Sequence, residues 1–291
     1  PYRSVKTSNP DVIGGSTFDY DYAVQLLGAM IDKNIQLREA GNESIDLFKK
    51  AYYYLDSLID EPTADTAGKV RDCDLQITKA KQALKDRLKD YPDLYDSFIH
   101  IPHIVTTKYD ETYIGSDTVG GVQTWCPTVD HFNQSGMKEL IEERRNSTER
   151  ESGEDFWWYT CINPQNPYPS YHIDDNLISS RTMRWMQYDL GVSATLFWNI
   201  CYYRKYNFDK TTTDRNVWVD PLSWEGCNGD GQLVYPGSYY GLETPISTLR
   251  LESIREGNED YEYLWMTERK IEEINEKHNK NYNTDKILSK F

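Results

Sequence analysis

Residues 51–62 read AYYYLDSLIDEP, and this stretch decides how the rest of the chain is arranged. Tyr52, Tyr53, Tyr54, Leu55, Leu58 and Ile59 are aromatic or aliphatic within a short run, the composition of a buried strand. Asp60, Glu61 and Pro62 end it. Proline has no amide hydrogen for a sheet ladder, so the strand stops there. Its ring also restricts the residue before it, which predicts an extended Glu61. Two carboxylates then stand at the carboxyl end of a strand, where α/β folds carry their active sites. The same residues suit an ordinary strand-to-helix turn with acids beside a helix N-terminus. Taken alone, they leave both readings open.

Outward from this stretch, strands and helices alternate. Apolar runs predict strands over residues 51–59, 98–106, 122–126, 156–161 and 194–200. Helical spacing predicts helices over 18–38, 64–90, 137–151, 174–190 and 246–280, the last interrupted at Gly257. In 64–90, Cys73, Ile77, Ala80, Leu84 and Leu88 mark one face. Tyr91-Pro92 ends that helix. Residues 43–50 read as a short helix or linker. Residues 204–245 read as a long irregular loop, ordered by its tryptophans and glycines. Residues 281–291 read as a polar, frayed tail after one barrel domain over 1–280. Such alternation means a parallel sheet with crossover helices. A closed barrel takes eight strands and five are visible, so a barrel would draw its first strands from before Pro1 or from irregular segments.

Composition narrows the function. A chain of 291 residues can cover roughly three quarters of its unfolded surface. Its net charge of −15 repels nucleic acid and anionic membranes. No apolar run is long enough to span a bilayer. The chain opens without an initiating methionine or a signal peptide, which points to upstream residues and leaves the compartment open. Five cysteines are widely spaced with no C-x-x-C, so buried thiols are expected rather than a zinc site. His100 and His103, three apart on a strand, would face opposite ways and are not read as a chelating pair. Asn228-Gly229-Asp230-Gly231 resembles half a calcium loop but lacks the following ligands, so it reads as a turn. The nucleotide-binding glycine motifs and the G-x-S-x-G elbow are absent. No metal or cofactor is expected.

The strand ends gather one kind of chemistry. Asp60 and Glu61 end one strand, Trp125 and Cys126 another, Cys161 and Asn163 a third. Trp198, Asn199 and Tyr202 lie near the end of a fourth. Acids, amides and indoles suit a carbohydrate better than a phosphate. The eight Trp and 23 Tyr must mostly fill the core, but the excess suits a groove for hydroxyl-rich ligands.

Several motifs together resemble one family. They are AYYYLDSLIDEP, TWCP, FWWYTCINPQNPYP, RTMRWMQYDLGVSATLFWNI, DGQLVYPG and STLRLESIREGNEDYEYL. The chain resembles the catalytic part of glycoside hydrolase family 123 and its bacterial relatives. The resemblance implies a (β/α)8 barrel, here without its first strands, and an upstream β-sandwich domain in the full-length protein. It implies a β-linked N-acetylgalactosaminide as substrate; the compartment stays open, a secreted or cell-surface bacterial protein being favoured over a cytoplasmic one. The family's adjacent Asp-Glu pair falls on Asp60 and Glu61. Ordinary retaining glycosidases use two carboxylates about 5–5.5 Å apart. Neighbours on one strand point to different sides. The adjacency therefore suits a substrate-assisted mechanism, with the 2-acetamido oxygen as nucleophile. Glu61 is then the general acid and base, and Asp60 holds the acetamido N–H. Trp125, Trp158 and Trp198 are candidate walls for the sugar, with Asn163 and Asn199 beside them. Tyr235 is a candidate partner for the acetamido carbonyl and Asp230 for sugar hydroxyls. Two alternatives stay open: a carbohydrate-binding barrel without catalysis, and a barrel inactive without its N-terminal part.

Overall fold

The computed structural model describes residues 20–54, 61–114, 121–147, 153–206, 212–224 and 226–290. Asp60 and most of the predicted strand after Tyr54 lie outside them. The chain is mixed α/β, with a parallel five-stranded sheet in the order β1-β2-β3-β4-β5. Two compact units divide it. One takes the described residues up to Pro127 together with Glu139–Trp158; the other takes Thr128–Lys138 and the residues from Tyr159 onward.

The first unit starts with α1 (Tyr20–Glu39), which buries Ala23, Leu27 and Ile31. α1 packs on α2 (Ala67–Leu84). α2 buries Val70, Cys73, Ile77, Ala80 and Leu84, a spacing of three and four that draws one continuous stripe. The strand β1 (Tyr53–Tyr54) pairs in parallel with β2 (His103–Val105), Tyr53 opposite His103. β2 pairs with β3 (Thr124–Trp125), and β3 with β4 (Asp155–Thr160), both in parallel. All three residues of β2 are buried, as in a strand covered on both faces.

The predicted strand over 98–106 is shorter than its sequence suggests. A helix, α3 (Pro92–Ile99), occupies its start, and only His103–Val105 are strand. Pro92 ends the preceding helical run but also opens α3 at its first turn. Proline has no amide hydrogen to lose there, and its fixed φ suits the helix. His100 caps α3, while His103 is buried against Asp74.

The second unit holds α5 (Ile178–Leu190), β5 (Ala194–Phe197) and α6 (Leu249–His278); α4 (Met137–Arg145) begins in it and ends in the first. α5 and α6 pack along each other. Arg181 grips Asp260 through two nitrogens, and Trp185 Nε1 donates to the same carboxylate at 2.8 Å. Gly257 does not interrupt α6. A Cβ there would stand 2.9 Å from the Arg181 carbonyl oxygen and 2.9 Å from Arg184 Cγ, so the glycine lets the two helices approach.

Residues 204–245 are not irregular throughout. β6 (Arg204–Tyr206) pairs antiparallel with β7 (Thr212–Asp214), and β8 (Leu222–Trp224) with β9 (Cys227–Asn228). β10 (Val234–Tyr235) pairs with β11 (Ile246–Ser247), which immediately precedes α6. These strands of two or three residues give no alternation long enough to read in sequence. The C-terminal tail forms α7 (Thr284–Leu288), capped by the Asn283 side chain. No described helix is long and apolar enough to cross a membrane.

Candidate active site

In the first unit the sequence places Asp60, Glu61, Trp125 and Trp158. Asp60 lies outside the described residues. Glu61 is exposed and carries φ +46°, a left-handed conformation uncommon for a residue with a Cβ. It is thus not extended, as Pro62 alone predicts. Pro62 is buried just after it. The hydroxyl of buried Tyr113 donates to the Pro62 carbonyl at 2.8 Å and pins that turn from behind.

Trp125 and Trp158 are both fully buried. Trp125 Nε1 donates to Glu154 Oε2 at 2.7 Å, and Arg144 pairs with the other oxygen of that carboxylate. Tyr109 and Tyr113 meet the Trp125 ring edge-on, at 5.2 and 6.2 Å between centroids. Neither indole offers a face to a sugar, so they are core rings rather than walls. A strand-end tryptophan has the same sequence signature whichever side its strand turns inward.

The same unit holds a buried polar cluster that the sequence reading missed. Lys81 Nζ donates to the carbonyls of Ile99 at 3.1 Å and Ile101 at 2.7 Å, and lies 5.3 Å from the centre of the Tyr53 ring. Burial pulls its ammonium down to about 7, and the Asp74 charge opposes this. Asp74 meets His103 Nδ1. Burial also pushes the Tyr53 phenol far above its ordinary value. Lys81 sits at an apolar position of the α2 stripe, which is the only sequence sign of its burial.

The second unit holds Trp198, Asn199, Asp230, Tyr235 and Asn163, and joins Trp198 directly to Asp230. Trp198 follows β5 directly, at the carboxyl end of a strand in the parallel sheet. The residue is 38% exposed, and its Nε1 lies 3.1 Å from both Asp230 oxygens. Asp230 itself is wholly buried. Burial pushes its carboxyl up, while the Trp198 N–H, the His172 charge, the Gly231 amide and the Arg250 charge oppose the shift. Asp230 therefore presents no oxygen to solvent, in contrast to its expected role on sugar hydroxyls. Asn199 turns its Oδ1 back to accept from the Cys201 amide at 2.8 Å. Asn163 is exposed; its carbonyl accepts from the Cys161 amide at 3.0 Å.

Tyr235 lines a cleft of about 400 Å³ with His172, Asp175, Trp218 and Arg250. The Trp218 and Tyr235 rings meet edge-to-face at 4.8 Å. Arg250 is the buried tie of this region. Its guanidinium donates to the carbonyls of Tyr171, Gly229 and Gln232. It thereby holds the turn that carries Asp230 and the lead into β10. Burial lowers the Arg250 pKa, and Tyr235 and Asp230 oppose that. Three carbonyls are acceptors for a fork of donors that never loses its charge, a task lysine performs less well. Arg250 falls within the motif STLRLESIREGNEDYEYL, but nothing in that string says that it turns inward.

No curated protein matches the chain. The family model described as glycoside hydrolase 123, catalytic domain, matches residues 69–267. This range holds Trp125, Trp158, Asn163, Trp198, Asn199, Asp230 and Tyr235, and begins after Asp60 and Glu61. It takes in β2 to β5 and most of α6. With more than half of its length matched, the chain belongs to the glycoside hydrolase 123 catalytic-domain family, whose chemistry is the hydrolysis of glycosidic bonds.

Proposed function

We propose that the protein hydrolyses β-linked N-acetylhexosaminides, N-acetylgalactosaminides foremost, with retention and with the substrate's acetamido group as nucleophile. Asp60 and Glu61 are the catalytic pair, on a (β/α)8 barrel of which the parallel sheet is a part. The observation that carries this reading is Glu61. It is an exposed carboxylate in a left-handed conformation, on a turn anchored by Tyr113, beyond a strand of a parallel sheet. Strained backbone at a non-glycine residue concentrates at functional sites.

In the proposed reaction the acetamido carbonyl oxygen attacks the anomeric carbon as the bond to the glycosidic oxygen breaks. Glu61 gives its proton to that oxygen, and the alcohol leaves. Asp60 accepts a hydrogen bond from the acetamido N–H and balances the positive oxazolinium. Glu61, now a carboxylate, takes a proton from water as the water oxygen attacks the anomeric carbon and the ring opens. Two inversions give net retention. Trp198 supplies an apolar face to the sugar ring. Tyr235 donates to the acetamido carbonyl, and Asn163 and Asn199 serve sugar hydroxyls.

The test uses 4-nitrophenyl β-N-acetylgalactosaminide and the full-length protein. Nitrophenol should be released with the β-anomer formed first, as read by proton NMR. The 2-hydroxyl galactoside should scarcely react, and a cyclic thiazoline analogue should inhibit, as mimics of charged intermediates do. A stable adduct on any carboxylate after incubation with a 2-deoxy-2-fluoro glycoside overturns the mechanism, because it marks a protein nucleophile. Binding without release at any pH would replace hydrolysis with carbohydrate binding.

A further inference from the structure

Trp198 is more exposed than most of the indoles, yet it is held on three sides. Its N–H sits between the two oxygens of Asp230, 3.1 Å from each. Gly231 lies close to the six-membered ring: a Cβ there would stand 2.7 Å from Trp198 Cζ2 and 3.1 Å from Cη2. The Tyr202 ring packs at 4.9 Å, tilted by 58°. Gly231 also needs its glycine for φ +72°. Leaving a carboxylate wholly buried with an indole N–H as a main partner is costly unless it fixes something, since burial penalises the charge. What it fixes is the plane of an exposed ring at the end of a sheet strand.

We infer that Asp230 is a positioning residue that acts through Trp198, holding the indole as a rigid stacking platform for the sugar. This rests on the reading that Trp198 stacks on substrate, and it replaces a direct contact between Asp230 and sugar hydroxyls. A ring already ordered loses no rotamer freedom when a sugar binds, so the clamp acts on affinity rather than on bond breaking. Gly231 and Tyr202 serve the same end, one by leaving room and the other by packing beside the indole.

Two readouts test it: steady-state kinetics on 4-nitrophenyl β-N-acetylgalactosaminide, and exchange of the Trp198 Nε1 hydrogen by ¹⁵N-indole NMR, assigned with Trp198→Phe. Asp230→Leu should raise KM about tenfold at nearly unchanged kcat, the pattern of lost uniform binding, and speed exchange of that hydrogen. Asp230→Asn keeps an acceptor on the N–H and should hold both readouts close to the wild type. If Asp230→Leu does not fold, Trp198→Phe removes the same hydrogen bond while keeping a ring, and should raise KM in the same direction. A raised KM in Trp198→Ala, with KM and indole exchange both unchanged in Asp230→Leu, overturns the inference and leaves the stacking reading intact. An unchanged KM in Trp198→Ala overturns the stacking reading and this inference with it.

Discussion

Glu61 and Trp125 show what one residue's surroundings decide. Both end strands in the sequence, and both are natural candidates for a sugar site. Glu61 stays exposed on a pinned, left-handed turn. Glu61→Gln keeps the shape and removes the proton, so kcat should fall by about 10²–10⁴-fold, the range for losing a general acid. Unchanged turnover would remove Glu61 from the mechanism. Trp125 instead gives its indole N–H to buried Glu154, whose other oxygen meets Arg144. Trp125→Phe takes one donor from a buried carboxylate, which should cost about 1–3 kcal/mol of stability. Urea unfolding reads that loss, and KM should stay where it is; a KM effect without destabilisation would return Trp125 to the binding site. The acid pair is proposed on a local pattern, proline and two carboxylates after an apolar run. Which tryptophans are buried was not legible, since an indole's fate depends on which way a short strand faces. Asp230 stands within a motif, but its burial against Trp198 is a tertiary fact that the motif does not report.

The helices were the most legible elements, because an apolar stripe at spacings of three and four reports its own burial. α2 and the following turn bury Cys73, Ile77, Ala80, Leu84 and Leu88, the five residues that the spacing selects. α3 was lost because Pro92 carries two meanings, stop and start. Gly257 misled in the same way. As a poor helix former it reads as a break, but in α6 it serves the approach of α5. Gly257→Ala sets two effects against each other. Alanine gains about 1 kcal/mol of helix propensity over glycine. Its methyl meets the Arg181 carbonyl at 2.9 Å, backbone that cannot swing aside, and overpacking costs about 1–3 kcal/mol. The net expected is destabilisation, with a lower urea midpoint at unchanged slope. A more stable Gly257→Ala protein would mean that α5 and α6 part easily.

The parallel order of the sheet was readable from the alternation of strands and helices, because that alternation admits few topologies. The division into two units was not, since no linker or shift in composition marks it. At the scale of the whole molecule, one buried cation sets how stability follows pH. In the folded chain Lys81 titrates at about 7, because burial disfavours its charge more than Asp74 favours it. Unfolded, it returns to the ordinary lysine value of about 10.4. Between these values the unfolded chain holds a proton that the folded chain has shed, so stability rises with pH, by up to about 1.4 kcal/mol per unit. Below pH 7 both states are charged and the full penalty of burial is present. Tyr53 bounds the window above: its raised phenol keeps its proton when the unfolded chain loses one near pH 10, which reverses the slope. Asp74 on its own helix and Tyr53 on β1 face Lys81, and Asp74 in turn meets His103 on β2. The surplus of acidic groups, which gives the chain a charge of −15, adds a self-repulsion of its own. Comparison with Lys81→Met separates the two. The methionine loses the hydrogen bonds to Ile99 and Ile101 at every pH, which shifts the curve as a whole. It has no proton to exchange, so the rise between about pH 7 and 10 should flatten while the self-repulsion stays. Urea unfolding at unit steps of pH measures it, and parallel curves for the two proteins would show that Lys81 is charged in the folded state throughout.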